Sequence, residues 1–194
     1  MRNVFRFLQK NVLRIIIVLA IVLFVSAQIL RILTPPTPPK IQSQDNTWNS
    51  ITPGFSTGAD VVQRLGQPIN SRKIDNSDNT ELDYISPYPA QPNQVVVDPN
   101  AKVQFIKQYV GVDQKEFLQD YVNKFGNYDL ALVDPQTGEA DRVYVFANKG
   151  VAIIAHIADG SVEQKWYFTP TTAGNFLTSW GNNLTNDENK RQGL

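Results

Sequence analysis

The chain reads as an α+β protein: an N-terminal single transmembrane helix, then two tandem units that each join a helix to an antiparallel β-sheet. Three observations predict this. Residues 15–30 are sixteen uncharged, mostly apolar residues behind a purely basic N-terminus. A pattern of helix, glycine stop and alternating strands recurs sixty residues on. Period-two alternation bounded by glycine turns fills most of residues 80–168.

Arg2, Arg6, Lys10 and Arg14 lead the apolar run, and residues 1–14 contain no acid. Sixteen helical residues span roughly 24 Å, just short of a bilayer core. Adding the apolar residues on either side, with Arg14 and Arg31 snorkelling, extends the predicted span to residues 12–33. Residues 1–11 then form a cytoplasmic basic N-terminus, because the heavier positive flank stays inside. That places the protein in the cytoplasmic membrane as a single-pass signal anchor, bilayer-bound through residues 12–33, with its C-terminal domain outside. The alternative is a signal peptide cleaved after Ala27, since Val25-Ser26-Ala27 offers small residues behind a short apolar stretch. Both readings put residues 41–194 outside the cytoplasm.

Residues 41–194 hold twelve Lys or Arg against eighteen Asp or Glu, a formal charge of −6. An acidic outer part argues against nucleic acid as a partner. With no cysteine, the chain has no disulfide, thiol nucleophile or zinc–thiolate site.

Residues 34–50 open with four prolines and continue polar, which predicts a stiff linker. The first helix-sheet repeat occupies residues 51–110. Its helix starts at Ser56 or Thr57, where Thr57 and Asp60 approximate a capping box. Gly66 and Pro68 end it. Strands are expected over 80–86, 94–98 and 102–109. The second repeat, residues 111–180, starts its helix at Asp113, with Glu116 three residues on as in a capping pattern, an apolar stripe of Phe117, Leu118, Tyr121, Val122 and Phe125, and a stop at Gly126. Strands follow over 128–133, 141–147, 151–158 and 162–168, the last three as a meander turning at Asn148-Lys149-Gly150 and Asp159-Gly160. A short helix is expected over 173–180 behind a Thr171 or Thr172 cap. Residues 181–194 are polar and aperiodic, which predicts a disordered tail.

The segment Ile51-Thr52-Pro53-Gly54-Phe55-Ser56-Thr57, followed by Asp60-Val61-Val62 and Leu65-Gly66-Gln67-Pro68, resembles the opening of BamE-like (SmpA/OmlA) domains. Two such units in tandem resemble beta-lactamase-inhibitor-protein-like folds. The resemblance implies a fold that binds other proteins and has no chemistry of its own. BamE-like lipoproteins carry a lipobox cysteine. This chain has none, so its anchor would be the peptide helix.

Gly54-Phe55-Ser56-Thr57-Gly58 fits the G-x-S-x-G spacing of a hydrolase nucleophile elbow, with His156 as base and Asp134 as acid in chain order. The elbow needs a buried strand before the serine, and residues 48–53 do not read as one. A helix cap after a glycine turn explains the same residues. His156 is the sole histidine and falls mid-strand beside Ala152 and Ile154, which suits a buried structural residue. Asp75, Asp78, Glu81 and Asp83 are oxygen-rich but lack calcium-loop spacing. No catalytic, cofactor or metal residue is therefore assigned, and no cofactor is expected. Aromatic residues crowd the strands, and exposed aromatic surface marks contact sites. A sheet face carrying Tyr84, Tyr144 and Trp166 is the expected partner surface, with Tyr88 in a neighbouring proline-rich loop. The function so predicted is a membrane-anchored, extracytoplasmic, non-enzymatic protein-binding or scaffolding domain acting on an unknown envelope protein. The alternatives are an anchored inhibitor or cell-wall-ligand binder, and more remotely a small serine hydrolase.

Overall fold

The computed structural model describes residues 45–135 and 140–186. The expected span at 12–33 lies outside them. Among the described residues no helix is long and apolar enough to cross a membrane.

Helix α1 (Gly58–Leu65) begins at Thr57 in the expected box. The Thr57 amide donates to Asp60 Oδ2 at 2.7 Å, and the Asp60 amide donates to Thr57 Oγ1 at 3.2 Å. The Thr57 amide, and after it the Thr57 hydroxyl donating to the same oxygen at 2.8 Å, hold the Asp60 carboxyl below the usual carboxylate range. Asp60 therefore stabilises the fold above the ordinary aspartate range, and this contribution fades as pH falls through the lowered folded value. Asp60→Asn is expected to lower the urea midpoint at neutral pH, with the gap to wild type narrowing at about pH 3. Gly66 takes φ +82° and returns its amide to the Val62 carbonyl, ending the helix.

Four strands follow: β1 (Asn70–Lys73), β2 (Thr80–Tyr84), β3 (Asn93–Val97) and β4 (Val103–Tyr109). Helix α2 (Leu118–Phe125) then precedes β5 (Leu130–Leu132), β6 (Asp141–Phe146), β7 (Val151–His156) and β8 (Val162–Phe168), and α3 (Ala173–Ser179) is the last of the described helices. The α2 start lies five residues beyond the expected Asp113. Glu116 does not serve a cap there; it takes Lys165 Nζ at 2.7 Å and the Tyr121 hydroxyl.

The expected fold class requires correction. The strands do not form two separate helix-plus-sheet units. They make a single antiparallel sheet in the order β1-β2-β3-β4-β8-β7-β6-β5. The join is β4 against β8, with Phe105 opposite Phe168 and Tyr109 opposite Gln164. Period-two alternation specifies which face a side chain takes and leaves strand order open. Pairing β4 with β8 also removes two exposed edges at once, which separate sheets would have left unbonded.

The two faces bury different sets of residues. On one, α1 and α2 lay Val61, Leu65, Leu118, Val122 and Phe125 over Val95, Val103, Ile106, Ile153 and Tyr167. On the other, α3 and the segment after it bring Phe176, Leu177, Trp180 and Leu184 onto Phe105, Val143, Ile154, Trp166 and Phe168. The tail expected to be disordered from residue 181 is held as far as Thr185, which bridges to Val133.

Candidate functional site

Beyond the reach of α3's apolar side chains, the same face becomes polar at the end of the sheet where β4 finishes and β8 begins. A cleft of about 440 Å³ opens there, lined by Tyr88, Gln91, Lys107, Tyr109, Asp134, Asp141, Glu163 and Gln164. Its residues come from both halves of the chain, so the cleft depends on the β4–β8 join.

Local geometry explains how each side chain reaches it. Lys107 and Tyr109 alternate with Ile106 and Gln108 along β4, and their partners across the join are Trp166 and Gln164. A break in register between Ile154 and Ala155 leaves Glu163 as the extra residue of a β-bulge, between Val162 and Gln164. Bulges re-aim side chains, and here Glu163 and Gln164 both line the cleft although they are neighbours in sequence. Asp141 opens β6 directly opposite His156, the last residue of β7. Tyr88 is held in the lining by its hydroxyl, which donates to the Val110 carbonyl at 3.1 Å, and by an edge contact with the Tyr109 ring at 6.1 Å.

Burial strains the charges. Lys107 is held below the usual lysine range by loss of water, against the pull of Glu81 and Asp134. Its ammonium also lies 5.8 Å from the Trp166 ring centre. Glu163 is pushed up, first by burial and then by the neighbouring Asp141 charge. Tyr109 is raised by burial and by Asp134. Asp141 is only 6% exposed, and its Oδ1 accepts no hydrogen bond.

The residues expected to form one partner surface do not share a face. Tyr84 packs in the core beneath α1 and α2, with Tyr144 against that same core, whereas Trp166 belongs to the opposite core. Tyr84 and Trp166 are 4% and 6% exposed. Tyr84 does line a smaller hollow of about 180 Å³ with Trp48, Leu65, Ile69 and Ile85, and its hydroxyl has no hydrogen-bond partner.

The hydrolase constellation is not assembled. Ser56 Oγ accepts the Thr52 amide at 2.9 Å, and its carbonyl receives the amide of Val103, the first residue of β4. His156 sits at the opposite end of the sheet, its amide bonded to the Ser161 carbonyl. Its side chain is 40% exposed and is not a buried core histidine. In the acidic group, Glu81 is bonded to Arg72 and Gln94, and Asp83 accepts from Asn70 at 3.0 Å. Those carboxylates serve the β1–β2–β3 pairing.

Sequence reasoning missed Lys107, Tyr109, Asp141, Glu163 and Gln164 as a group. The available signal was the register of the two hairpins: counting outward from Asn148-Lys149-Gly150 sets Asp141 against His156, and counting outward from Asp159-Gly160 brings Glu163 near it.

No protein-family model matches the chain, and no curated protein matches it. Among solved structures, the fold is similar to that of a DUF4309 family protein (YjgB) from Bacillus subtilis, with a TM-score of 0.42 and 14% identity over 61% of this chain and 82% of that one. A likeness of that size carries no functional conclusion.

Proposed function

We propose that the chain is a membrane-anchored, non-enzymatic binding domain of the cell envelope, and that it takes a polar segment of a protein partner in the cleft at the end of the sheet. The observation that carries this reading is the cleft itself: about 440 Å³ of recess lined by eight side chains that all bear hydrogen-bonding groups. Recesses of this size with convergent polar groups are the usual form of a ligand site. The acidic outer part and the basic-flanked apolar N-terminus support an outward-facing, tethered location. A binding role is favoured over hydrolysis by the separation of Ser56 from His156 across the length of β4 and β8.

The aromatic residues first expected to make contact are largely used in packing, so the partner surface moves from a sheet face to a sheet end. There Tyr88, Gln91, Lys107 and Tyr109 come from the first half of the chain, and Asp134, Asp141, Glu163 and Gln164 from the second. A photo-crosslinking residue at position 91 of the full chain, in its own membrane, is expected to give a defined protein adduct. Adding Tyr109→Ala should weaken that adduct several-fold. A probe at Gln119, on exposed α2 surface, should not give it. Equal adducts from both positions, or none from position 91, would contradict the reading.

A further inference from the structure

We propose that Asp141, His156 and Glu163 form a binding site for a divalent transition-metal ion of the Zn²⁺ class. The site deepens the binding reading above, since two of its three residues, Asp141 and Glu163, line the same cleft, but its evidence is separate. The ligating atoms of the three side chains all lie within 4.8 Å of one another. Three strands supply them at fixed register: Asp141 and His156 face each other across β6 and β7, and the bulge turns Glu163 toward both.

The second observation is Asp141 itself. Its Oδ1 is buried without a hydrogen bond, and it stands 4.0 Å from His156 Nε2, too far to be satisfied by the ring nitrogen. A buried acceptor left unpaired is costly. A second carboxylate, that of Glu163, has an oxygen within 4.8 Å of one of Asp141's. A cation between Asp141, His156 and Glu163 satisfies the orphaned oxygen.

The donor set points to the metal class. One imidazole nitrogen with two carboxylates suits Zn²⁺ or a similar ion, and Ca²⁺ takes oxygen ligands only. Bonds of about 2.0–2.2 Å require the ligands to draw in slightly. His156 is 40% exposed and has room to do so, while Asp141 is fixed in the strand. Three protein ligands leave a further coordination position for an outside ligand. An oxygen of the partner segment, carbonyl or carboxylate, would complete it.

His156 is the chain's sole histidine and there is no cysteine, so a nitrogen-ligand signal reports this site alone. The test is Zn²⁺ titration of the full chain in detergent micelles with ¹⁵N-labelled histidine. Wild type is expected to show one saturable event that shifts the imidazole nitrogen and raises the melting temperature. Asp141→Asn and Glu163→Gln should each weaken binding at least tenfold. Asp141→Asn keeps the side chain's shape and should leave the metal-free fold intact, so its loss of response is readable. Asp75→Asn, in the β1–β2 loop, should leave the titration unchanged. Absence of a saturable imidazole shift in wild type, or undiminished affinity in both cleft variants, would overturn the site. So would a Ca²⁺ response equal to that of Zn²⁺ and preserved in His156→Ala. No partner is present in this titration, so its failure leaves the crosslinking test standing, and the reverse also holds.

Discussion

Replacing Phe168 with alanine is expected to destabilise the folded domain by about 4 kcal/mol. The side chain is fully buried. Its ring lies 5.0 Å from that of Phe176, so truncation also frees α3 from the sheet. Opposite it on β4 is Phe105, which stacks on Trp180 at 4.6 Å. Loss of a large core ring typically costs ~3–5 kcal/mol, and aromatic pairing adds about 1 kcal/mol. A domain of this size has only about 5–15 kcal/mol in total. Urea unfolding followed by tryptophan fluorescence measures the change directly, since Trp166 and Trp180 belong to the same cluster. A loss under about 1 kcal/mol would show that β8 is not the core strand described here.

Gly150→Ala is expected to cost about 3 kcal/mol, a large penalty for adding one methyl group. Gly150 follows the 3-10 turn Ala147–Lys149 with φ +69° and ψ +32°, in the left-handed region. Its amide donates to the Ala147 carbonyl, and its own carbonyl receives the Phe168 amide at 2.9 Å. A β-carbon there would fall 2.2 Å from the Phe168 carbonyl oxygen and 3.1 Å from both Asn46 Cβ and Pro170 Cδ. The obstructing atoms include backbone, so relief requires β7 and β8 to part. Gly174→Ala is the control. It sits in α3 with nothing within 4 Å of an added β-carbon, and helix propensity favours alanine there by up to about 1 kcal/mol. Thermal melts of the two variants should move in opposite directions. Equal shifts would mean that the close approach at Gly150 is not present in the folded protein.

How far the sequence could be read depended on the kind of signal each segment carries. Strand β8 matches its expected range, 162–168, because alternation and the Asp159-Gly160 turn mark both ends. The α1 cap was legible because Thr57 and Asp60 act within one turn. Strand β1 was missed: Asn70, Ser71, Arg72 and Lys73 contain no apolar residue and all four are exposed, which is how an edge strand avoids pairing with another chain. The α2 start was misplaced because Asp113 and Glu116 imitate a cap, while Glu116 in fact answers a lysine 49 residues away. The join of β4 to β8 was invisible for the same kind of reason. Nothing within either strand names its neighbour.

The cleft was harder still. Asp134 read only as the third member of a hydrolase spacing, Asp141 and Glu163 as strand residues, and His156 as a buried structural residue. Only strand register and a single bulged residue bring Asp141, His156 and Glu163 together. The aromatic residues were conspicuous in the sequence and drew attention to Tyr84, Tyr144 and Trp166, whose rings fill two separate cores. Composition reports how much aromatic surface exists. It does not report which face the surface lies on.

Everything at the cleft rests on the two halves of the chain sharing one sheet. Because the protein has no cysteine, that join can be tested by an engineered disulfide between Gln108→Cys on β4 and Lys165→Cys on β8, which are register partners. Opposed residues in antiparallel strands have Cα atoms roughly 4.5–5.5 Å apart, within disulfide reach. The pair Arg142→Cys and Ala155→Cys in the β6–β7 hairpin provides the positive control. One continuous sheet predicts rapid intramolecular crosslinking of both pairs upon mild oxidation. Crosslinking of the hairpin pair with none between positions 108 and 165 would show two separate sheets and leave the cleft without half of its lining.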